Sequence, residues 1–308
     1  MNYFGLDKEF SDINKAKVVI IPVPYEATTS YGKGTKNGPE AILAASQQVE
    51  LFDQEKWISP YQVGIASHDP IFIDPVNNST QKPFESLQNA IAIVLQNQQF
   101  PIVLGGEHSL SIGAVKACAG MHEDLSILHI DAHADLRSSY EDNDYSHATA
   151  SYQMYKLLSK PAIIQVGIRN ISEGEVAWLQ EEKPNINILW SHQLQSCNWE
   201  EVVANLSQHV YLTIDVDGLD PSIMPSTGTP EPDGMTFRQL IDLIDVLCLN
   251  KTVVAADIVE LAPITGLHAP DFLAAKLLYK LIGSKFQTTL TKERILIGEC
   301  SKTGEYSK

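Results

Sequence analysis

Seven near-continuous apolar runs recur along the chain and limit the folds that it can adopt. A strand covered on both faces needs apolar residues at consecutive positions, so these runs predict strands of a buried sheet. The runs are KVVIIPVP from residue 17, FPIVLGG from 100, LSILHIDAH from 125, PAIIQVGIR from 161, INILW from 186, HVYLTIDVD from 209 and TVVAADIVE from 252.

Helical patterns lie between several of these runs. TFRQLIDLIDVLCL and DFLAAKLLYKLIG each gather apolar residues on one face at the helical period. The residues on these two faces are Phe237, Leu240, Ile241, Ile244 and Leu247, and Phe272, Leu273, Lys276, Leu277 and Leu281. Alternating strands and helices predict an α/β fold with a mainly parallel sheet. Since composition does not change between the halves, we expect one domain over residues 1–308.

Charge and cysteine content narrow the range of partners. The 308-residue chain carries 22 basic and 38 acidic residues, a formal net charge of -16. This balance argues against nucleic acid and anionic membranes and is compatible with a small cationic ligand. The four cysteines form no Cys-x-x-Cys pair, which favours reduced thiols. No apolar run reaches the roughly 20 residues that span a bilayer, and the N-terminus lacks a signal-peptide pattern, so we expect a cytoplasmic protein.

Polar clusters follow the predicted strands, where ligands bind in parallel sheets. The segments GGEHS, DAHAD, DVDGLDP and DIVELAP each come directly after an apolar run. In an extended segment residues two apart share a face, so Asp131, His133 and Asp135 converge, as do Asp215 and Asp217. An exposed strand edge with alternating acids would give the first pattern alone. The two patterns together favour a metal site, because buried carboxylates need a cation.

His108 in GGEHS is the sixth candidate ligand. Gly105 and Gly106 let the backbone turn closely before it, and Ser109 is expected to cap a helix that begins near Leu110. Mixed oxygen and imidazole ligands suit divalent first-row metals such as manganese. If Asp131 and Asp215 bridge, six ligands suffice for two metals, which can hold a hydroxide nucleophile between them.

The motifs resemble those of the ureohydrolase family, the arginase and agmatinase group. The segments GGEHS, DAHADLR, YSHATA, IDVDGLDPSIMPSTGTPEPDGM and DIVELAP match family motifs in order, and PVPYEATTSYGKGTKNGPEAIL looks like the N-terminal segment of agmatinases. The resemblance implies a three-layer α/β/α sandwich around a parallel eight-stranded sheet. It also implies a binuclear manganese hydrolase that cleaves a guanidino group to urea and an amine, and that assembles as trimers or hexamers.

The resemblance also implies roles for single residues. His108, Asp131, Asp135 and Asp215 would hold one metal, and His133, Asp131, Asp215 and Asp217 the other. His147 resembles the family's proton-shuttle histidine, Glu260 the glutamate that binds the guanidinium, and Thr229 a residue lining the guanidinium pocket, while Asp135 would help to transfer a proton to the leaving nitrogen. Imidazole and carboxylate chemistry suit these roles. Taken alone, His147 fits a surface loop, Glu260 an ordinary ion pair and Thr229 a turn.

Substrate identity depends on the far end of the pocket. Arg137 stands where arginases place an asparagine that contacts the α-carboxylate of arginine, and Ser172 stands where they place an acid for the α-amino group. The loop SSYEDNDYSH brings Glu141, Asp142 and Asp144 close in sequence to His147. Acids at the mouth of the pocket would attract the ammonium group of agmatine, although a solvated polar loop would look the same. We therefore expect agmatine as the substrate.

Other functions stay open at the level of the sequence. Guanidinobutyrate, guanidinopropionate, guanidine and arginine are alternative substrates, and Arg137 could bind a carboxylate. Nickel could replace manganese. The segment TASYQM departs from the methionine and two arginines found in many agmatinases, which affects the pocket or a subunit contact. A two-metal phosphoesterase and a catalytically inactive metal- or ligand-binding homologue are the further alternatives.

Overall fold

The computed structural model describes residues 2–74, 84–160 and 162–296. Its strands form one sheet in which every neighbouring pair is parallel. The strands are β1 (Val18–Val23), β2 (Ile65–Ser67), β3 (Phe100–Gly105), β4 (Ser126–Ile130), β5 (Ile163–Ile168), β6 (Ile186–Trp190), β7 (His209–Asp215) and β8 (Thr252–Val259). All seven predicted strands are confirmed, while the short edge strand β2 escaped prediction.

The helices connect these strands and cover the sheet. They are α1 (Lys8–Ser11), α2 (Gly38–Ser46), α3 (Glu85–Gln96), α4 (Leu110–Ala119), α5 (Ala150–Leu157), α6 (Glu173–Glu182), α7 (Trp199–Ala204), α8 (Phe237–Asn250) and α9 (Ala269–Leu296). Helix α8 begins at a capping box in which the Thr236 hydroxyl accepts from the Gln239 amide and the Gln239 side chain accepts from the Thr236 amide.

Two hydrophobic layers pack on opposite faces of the sheet. Successive side chains of a strand point to opposite faces, and accordingly Val18 and Ile20 lie in one layer while Val19 and Ile21 lie in the other. The first layer includes buried residues of α2, α8 and α9, and the second includes those of α3, α4 and α5. The expected α/β/α sandwich around an eight-stranded parallel sheet is therefore confirmed.

Helix α9 differs from its predicted one-sided pattern. Leu277 and Leu281 are fully buried as expected, but Phe272 is 41% exposed. Pro270 is buried in the first turn, but Phe272 lies before the main packed part of the helix, which begins at Ala274. From Leu277 to Ile282 every residue is buried, because α9 packs against both α2 and α8. A helix enclosed on several sides has no single apolar face.

The order of the strands determines where the polar motifs meet. The sheet runs β2-β1-β3-β8-β7-β4-β5-β6, so the four strands followed by GGEHS, DIVELAP, DVDGLDP and DAHAD are adjacent at its centre. Because all strands are parallel, their carboxyl ends lie at one edge of the sheet. In the described part of the chain no helix is long and apolar enough to cross a membrane. Cys118, Cys197 and Cys248 are free, as expected, and Cys300 lies outside the described residues.

Candidate active site

A cavity of about 210 Å³ opens at the carboxyl ends of the four central strands. Its lining includes most of the residues that the sequence singled out: His108, His133, Asp135, Arg137, His147, Asp215, Asp217, Thr229 and Glu260. Asp131 is fully buried beneath them. The tertiary structure therefore gathers residues of five separate motifs into one site.

His108 lies at the centre of the first group of acids. Its Nδ1 is 3.0 Å from Asp131 Oδ2 and 3.3 Å from both Asp135 Oδ2 and Asp215 Oδ2. The imidazole is fully buried, and no hydrogen-bond partner satisfies this nitrogen within the described residues. A buried lone pair directed at three carboxylates is a geometry that fits a cation between them.

His133 lies in a second group that shares Asp131 with the first. Its Nδ1 is 3.0 Å from Asp217 Oδ2 and 3.6 Å from Asp131 Oδ1. Asp131 therefore directs one carboxylate oxygen towards each histidine. Asp215 directs Oδ2 towards His108, while its Oδ1 accepts a hydrogen bond from the Asp217 amide at 2.9 Å.

The electrostatics of the site indicate a deficit of positive charge. Burial and the neighbouring carboxylates of Asp217 and Asp131 raise the pKa of Asp215 well above its ordinary value. Burial would lower the pKa of His133, but Asp217 and Asp131 outweigh it and raise that pKa to about 12. The acids thus compete for protons, and a divalent ion would supply the charge that they lack.

The donor set defines which metals fit. Two clusters have ligand atoms within 4.8 Å of one another, the first formed by His108, His129, Asp131 and Asp135 and the second by Asp131, His133 and Asp217. Carboxylate oxygen and imidazole nitrogen atoms suit divalent first-row metals, and thiolates are not part of either cluster. The residues therefore fit a metal centre.

Buried polar residues behind His108 orient its ring. Asp257 is buried and accepts hydrogen bonds from the hydroxyls of Ser111 at 2.6 Å, Tyr211 at 2.5 Å and Thr213 at 2.6 Å. Because Thr213 donates its only hydroxyl proton to Asp257, it accepts from His108 Nε2 at 2.9 Å. The neutral ring is then protonated on Nε2, and Nδ1 keeps its lone pair for the acids.

His129 is another residue of the site that the sequence motifs did not reveal. Its Nε2 lies 2.8 Å from Asp131 Oδ2, and its Nδ1 lies 2.9 Å from the side-chain Nε2 of Gln165. Both side chains are fully buried. A signal was present, because His129 and Gln165 are polar residues inside otherwise apolar strands, where an unpaired polar side chain is costly.

Ser109 does not cap α4, contrary to expectation. The helix begins at Leu110 as predicted, but no side-chain hydrogen bond caps it. The Ser109 hydroxyl instead donates to Glu107 Oε1 at 2.6 Å. The nearby carboxylate is the stronger acceptor, and Ser109 has helical backbone angles rather than the extended ones of most capping residues.

Glu260 lies on the wall of the cavity beside His108. It follows β8 in a left-handed backbone conformation with φ of 65°, and its Oε1 accepts a hydrogen bond from the His108 amide at 2.7 Å. Burial and the nearby Glu107 carboxylate raise its pKa well above the ordinary value. A buried carboxylate in this position offers acceptors to a cationic ligand. Thr229 lines the same cavity.

His147 lines the cavity from a one-turn 3-10 helix, His147–Thr149. Its Nδ1 lies 3.1 Å from Thr28 Oγ1, and its ring meets the ring of Tyr140 edge-on with centroids 5.6 Å apart. The histidine is therefore held within the site and is not a free surface residue.

The entrance of the cavity differs from the expected acidic mouth. Glu141, Asp142 and Asp144 are exposed and are not among the lining residues, whereas Arg137 lines the cavity. The acid that does line this end is Glu175, which is buried. Its oxygens accept from the amides of Leu136 and Ser172, so it belongs to the capping box of α6. Nothing in the motifs singled out Glu175.

The fold and site thus define a parallel α/β protein with a buried carboxylate–imidazole centre that fits metal ions. Comparison with known proteins defines the class further. The arginase family model matches residues 16–283. The chain therefore belongs to the arginase family, and the expected likeness to ureohydrolases is confirmed; it is an agmatinase-like hydrolase.

Relatives with two different names match most of the chain. The N(1)-aminopropylagmatine ureohydrolase of Synechocystis sp. is 36% identical over 280 residues, covering 87% of this chain and 89% of that protein. The agmatinase of Bacillus cereus is 33% identical over 261 residues, covering 83% and 87%. The crystal structure of the agmatine ureohydrolase of Thermoplasma volcanium superposes with a TM-score of 0.82 at 30% identity, covering 92% and 94%.

Proposed function

We propose that this protein hydrolyses a guanidino compound to urea and an amine, with agmatine as the substrate and putrescine as the amine. The observation that carries the proposal is the position of Glu260, a buried carboxylate on the wall of the cavity that also contains the carboxylate–imidazole centre. A planar guanidinium matches such a carboxylate through parallel N–H donors. One water molecule is consumed, and the carbon–nitrogen bond to the amine breaks.

Two divalent metals would occupy the centre. His108, Asp131, Asp135 and Asp215 would hold the first, and His133, Asp131, Asp215 and Asp217 the second. The unpartnered His108 Nδ1 and the mixed oxygen and nitrogen donors support a metal centre here, and the 3.3 Å distance from Asp215 Oδ2 to His108 Nδ1 supports Asp215 as a ligand. We propose Mn²⁺ as the native ion, with Ni²⁺ as the alternative. When bound, such a pair lowers the pKa of water towards neutrality and so supplies a nucleophile.

The side chains of the cavity then bind the substrate and move protons. Glu260 accepts hydrogen bonds from the guanidinium, and Thr229 lines the same pocket. Asp135 passes a proton from the attacking water to the leaving nitrogen. His147 exchanges a proton between the leaving amine and solvent, a role that an imidazole can fill because it both accepts and donates a proton.

The second candidate substrate is N(1)-aminopropylagmatine, which carries a longer amine tail than agmatine. The name of the Synechocystis relative, which is 36% identical, favours it. Glu175 supports an amine tail of either length, because it is a buried acid on the cavity wall. Arg137 on the same wall takes the place of the asparagine by which arginases contact the α-carboxylate of arginine.

Urea release from a panel of compounds tests the substrate assignment. The panel contains agmatine, N(1)-aminopropylagmatine, arginine, guanidinobutyrate, guanidinopropionate and guanidine, each assayed after loading with Mn²⁺ and with Ni²⁺. We expect kcat/KM to be highest for a compound whose tail ends in an amine. A higher kcat/KM for guanidinobutyrate or guanidinopropionate would mean that Arg137 binds a carboxylate. A phosphate ester is assayed in parallel for phosphate release, and its hydrolysis without urea release from any guanidino compound would favour the phosphoesterase alternative.

Two variants separate metal binding from turnover. Asp215→Asn should lose both bound metal and activity, since it removes a ligand shared by the two metals. His147→Asn should retain metal and lower kcat. Asp7→Asn is the matched control, because Asp7 is exposed and makes no capping hydrogen bond. Full turnover with two tightly bound metals in Asp215→Asn is incompatible with a shared ligand, and loss of metal in His147→Asn is incompatible with a shuttle. A wild-type protein that binds metal but releases no urea would be an inactive homologue.

Further proposals concern the whole molecule. Residues 1–308 would form a single domain that assembles as a trimer or a hexamer, acts in the cytoplasm, and binds neither nucleic acid nor membranes. The net charge of -16 supports the last two statements. Size-exclusion chromatography with light scattering measures the number of subunits.

A further inference from the structure

We propose that Glu107 and Thr28 are positioning residues for His147, which hold its imidazole through a carboxylate–hydroxyl–imidazole chain so that Nε2 is the basic nitrogen. The consequence for turnover rests on the proposed function, since it takes His147 as the group that exchanges protons with the leaving amine. The hydrogen bonds that link Glu107, Thr28 and His147 do not depend on that role. Glu107 and Thr28 come from separate segments, GGEHS and the loop that follows β1.

Glu107 is the buried anchor of this chain. Its side chain is fully buried, and its two oxygens accept four hydrogen bonds. Oε2 accepts from the amides of Ala27 at 2.5 Å and Thr28 at 2.7 Å. Oε1 accepts from the hydroxyls of Thr28 at 2.7 Å and Ser109 at 2.6 Å. Because four donors surround this carboxyl group, it is a carboxylate that acts only as an acceptor.

The single hydroxyl proton of Thr28 determines the direction of the next bonds. Because that proton is donated to Glu107, Thr28 Oγ1 can only accept from His147. It accepts from the His147 amide at 3.0 Å and lies 3.1 Å from His147 Nδ1. An unprotonated Nδ1 would place its lone pair against the lone pairs of this oxygen, so Nδ1 carries the proton.

The hydroxyl of Ser146 does not change the conclusion that His147 Nδ1 carries the proton. Its Oγ lies 3.2 Å from His147 Nδ1 and could accept or donate in isolation. A hydroxyl rotates to suit its neighbours, whereas the proton of Thr28 is already committed to Glu107. Ser146 therefore adapts as a second acceptor for Nδ1–H. The neutral ring keeps its lone pair on Nε2, the nitrogen left to exchange protons in the cavity that His147 lines.

This arrangement suits a proton carrier. The Glu107 carboxylate, acting through the Thr28 hydroxyl, stabilises the imidazolium that forms when Nε2 gains a proton, because Nδ1–H strengthens as a donor. Nε2 gives its proton to the leaving amine nitrogen and recovers one from solvent, so the histidine is unchanged after each cycle. The same carboxylate is close enough to Glu260 to raise its pKa, after the larger effect of burial. Glu107 therefore contacts His147 through Thr28 and also acts electrostatically on Glu260.

The tautomer of the neutral imidazole can be measured directly. Protein labelled with ¹⁵N-histidine and loaded with diamagnetic Zn²⁺ gives two-bond ¹H–¹⁵N correlations that distinguish Nδ1–H from Nε2–H. The His147 signals are identified by their loss in His147→Asn, and spectra are recorded at about pH 9, where an unperturbed imidazole is neutral. We expect the Nδ1–H form in the wild type. Detection of the Nε2–H form overturns the proposal without any variant.

Substitution of Thr28 tests the effect on turnover. Thr28→Val keeps the shape and removes the hydroxyl, so His147 should lose its preference for Nδ1–H and kcat should fall about tenfold or more, with KM changed less than twofold. This fall is part of the 10²–10⁴-fold contribution typical of a positioned general acid or base. Thr28→Ser restores the hydroxyl and should recover kcat to within about threefold.

A substitution far from the site serves as the control for Thr28→Val. Thr252→Val removes an exposed hydroxyl at the start of β8, at the opposite edge of the sheet, and should leave kcat unchanged. A Thr28→Val enzyme with wild-type kcat and tautomer overturns the proposal, as does a Thr28→Ser enzyme that folds but is as slow as Thr28→Val. If no guanidino compound is hydrolysed, the proposed function fails. The tautomer measurement still tests whether Glu107 and Thr28 hold His147 in the Nδ1–H form.

Discussion

Metal binding to this site should release at least about one proton at pH 8. In the protein without metal, burial would lower the pKa of His108, but the neighbouring carboxylates of Asp131, Asp135 and Asp215 outweigh it and raise that pKa well above its ordinary value. The pKa of His133 is raised to about 12. The His133 ring is therefore cationic at pH 8, and both rings must be neutral to ligate a metal.

The sign of the pH dependence follows from these shifts. A group with a raised pKa is protonated below that pKa, and each such proton competes with the metal. Apparent metal affinity should therefore increase with pH, with log K rising by at least about one for each pH unit because His133 loses a proton. His108 and Asp215, two proposed ligands whose pKa values are also raised, can only increase the release. The affinity is accordingly weakest in acid.

Calorimetric titration measures this release. Binding is followed at pH 8 in buffers with different ionisation enthalpies, and the slope of observed enthalpy against buffer enthalpy gives the protons released per protein loaded with both metals. We expect a slope of at least about one, which falls by about one in His133→Asn. A slope near zero in the wild type, or an unchanged slope in His133→Asn, would refute the electrostatic reasoning.

Two further predictions concern stability and the shape of the cavity. Lys280 Nζ lies 2.9 Å from Asp53 Oδ1 with both side chains at least 97% buried, so Lys280→Met leaves a buried charge unpaired and should cost about 3 kcal/mol, measured by urea denaturation. A Cβ on Gly32 would lie 2.7 Å from the carbonyl oxygen of Gly228, so Gly32→Ala should separate two segments of the cavity wall and raise KM several-fold. Gly174→Ala, whose Cβ meets nothing within 4 Å, is the control for both. A loss below about 1 kcal/mol, or an unchanged KM, contradicts the respective prediction.

Much of the candidate site could be predicted because its residues follow strands in short motifs. Asp131, His133 and Asp135 share one face of an extended segment, and this spacing is visible in the sequence. The residues that were missed make contacts between distant segments. Thr28 meets Glu107 across 79 residues and His147 across 119 residues. No local sequence pattern predicts these contacts, since they depend on how loops fold over the strand ends.

A partial signal existed for the residues that orient the histidines. His129, Thr213 and Asp257 are polar residues within apolar strands, and burial there requires a partner. The sequence shows that each needs a hydrogen bond but does not identify its partner. Asp257 and Thr213 are aligned by the register of β8 against β7. Strand order therefore decides which polar residues pair.

The sequence by itself determined the α/β class, seven of the strands and the set of candidate metal ligands, because burial on both faces and alternation within a strand are local constraints. Only the tertiary structure decided which strand ends are adjacent, that Asp131 lies between His108 and His133, and that Glu175 rather than the acidic loop lines the cavity. The physical reason is that hydrogen bonds and charge interactions depend on distances of a few ångströms between residues far apart in the chain, which packing alone establishes.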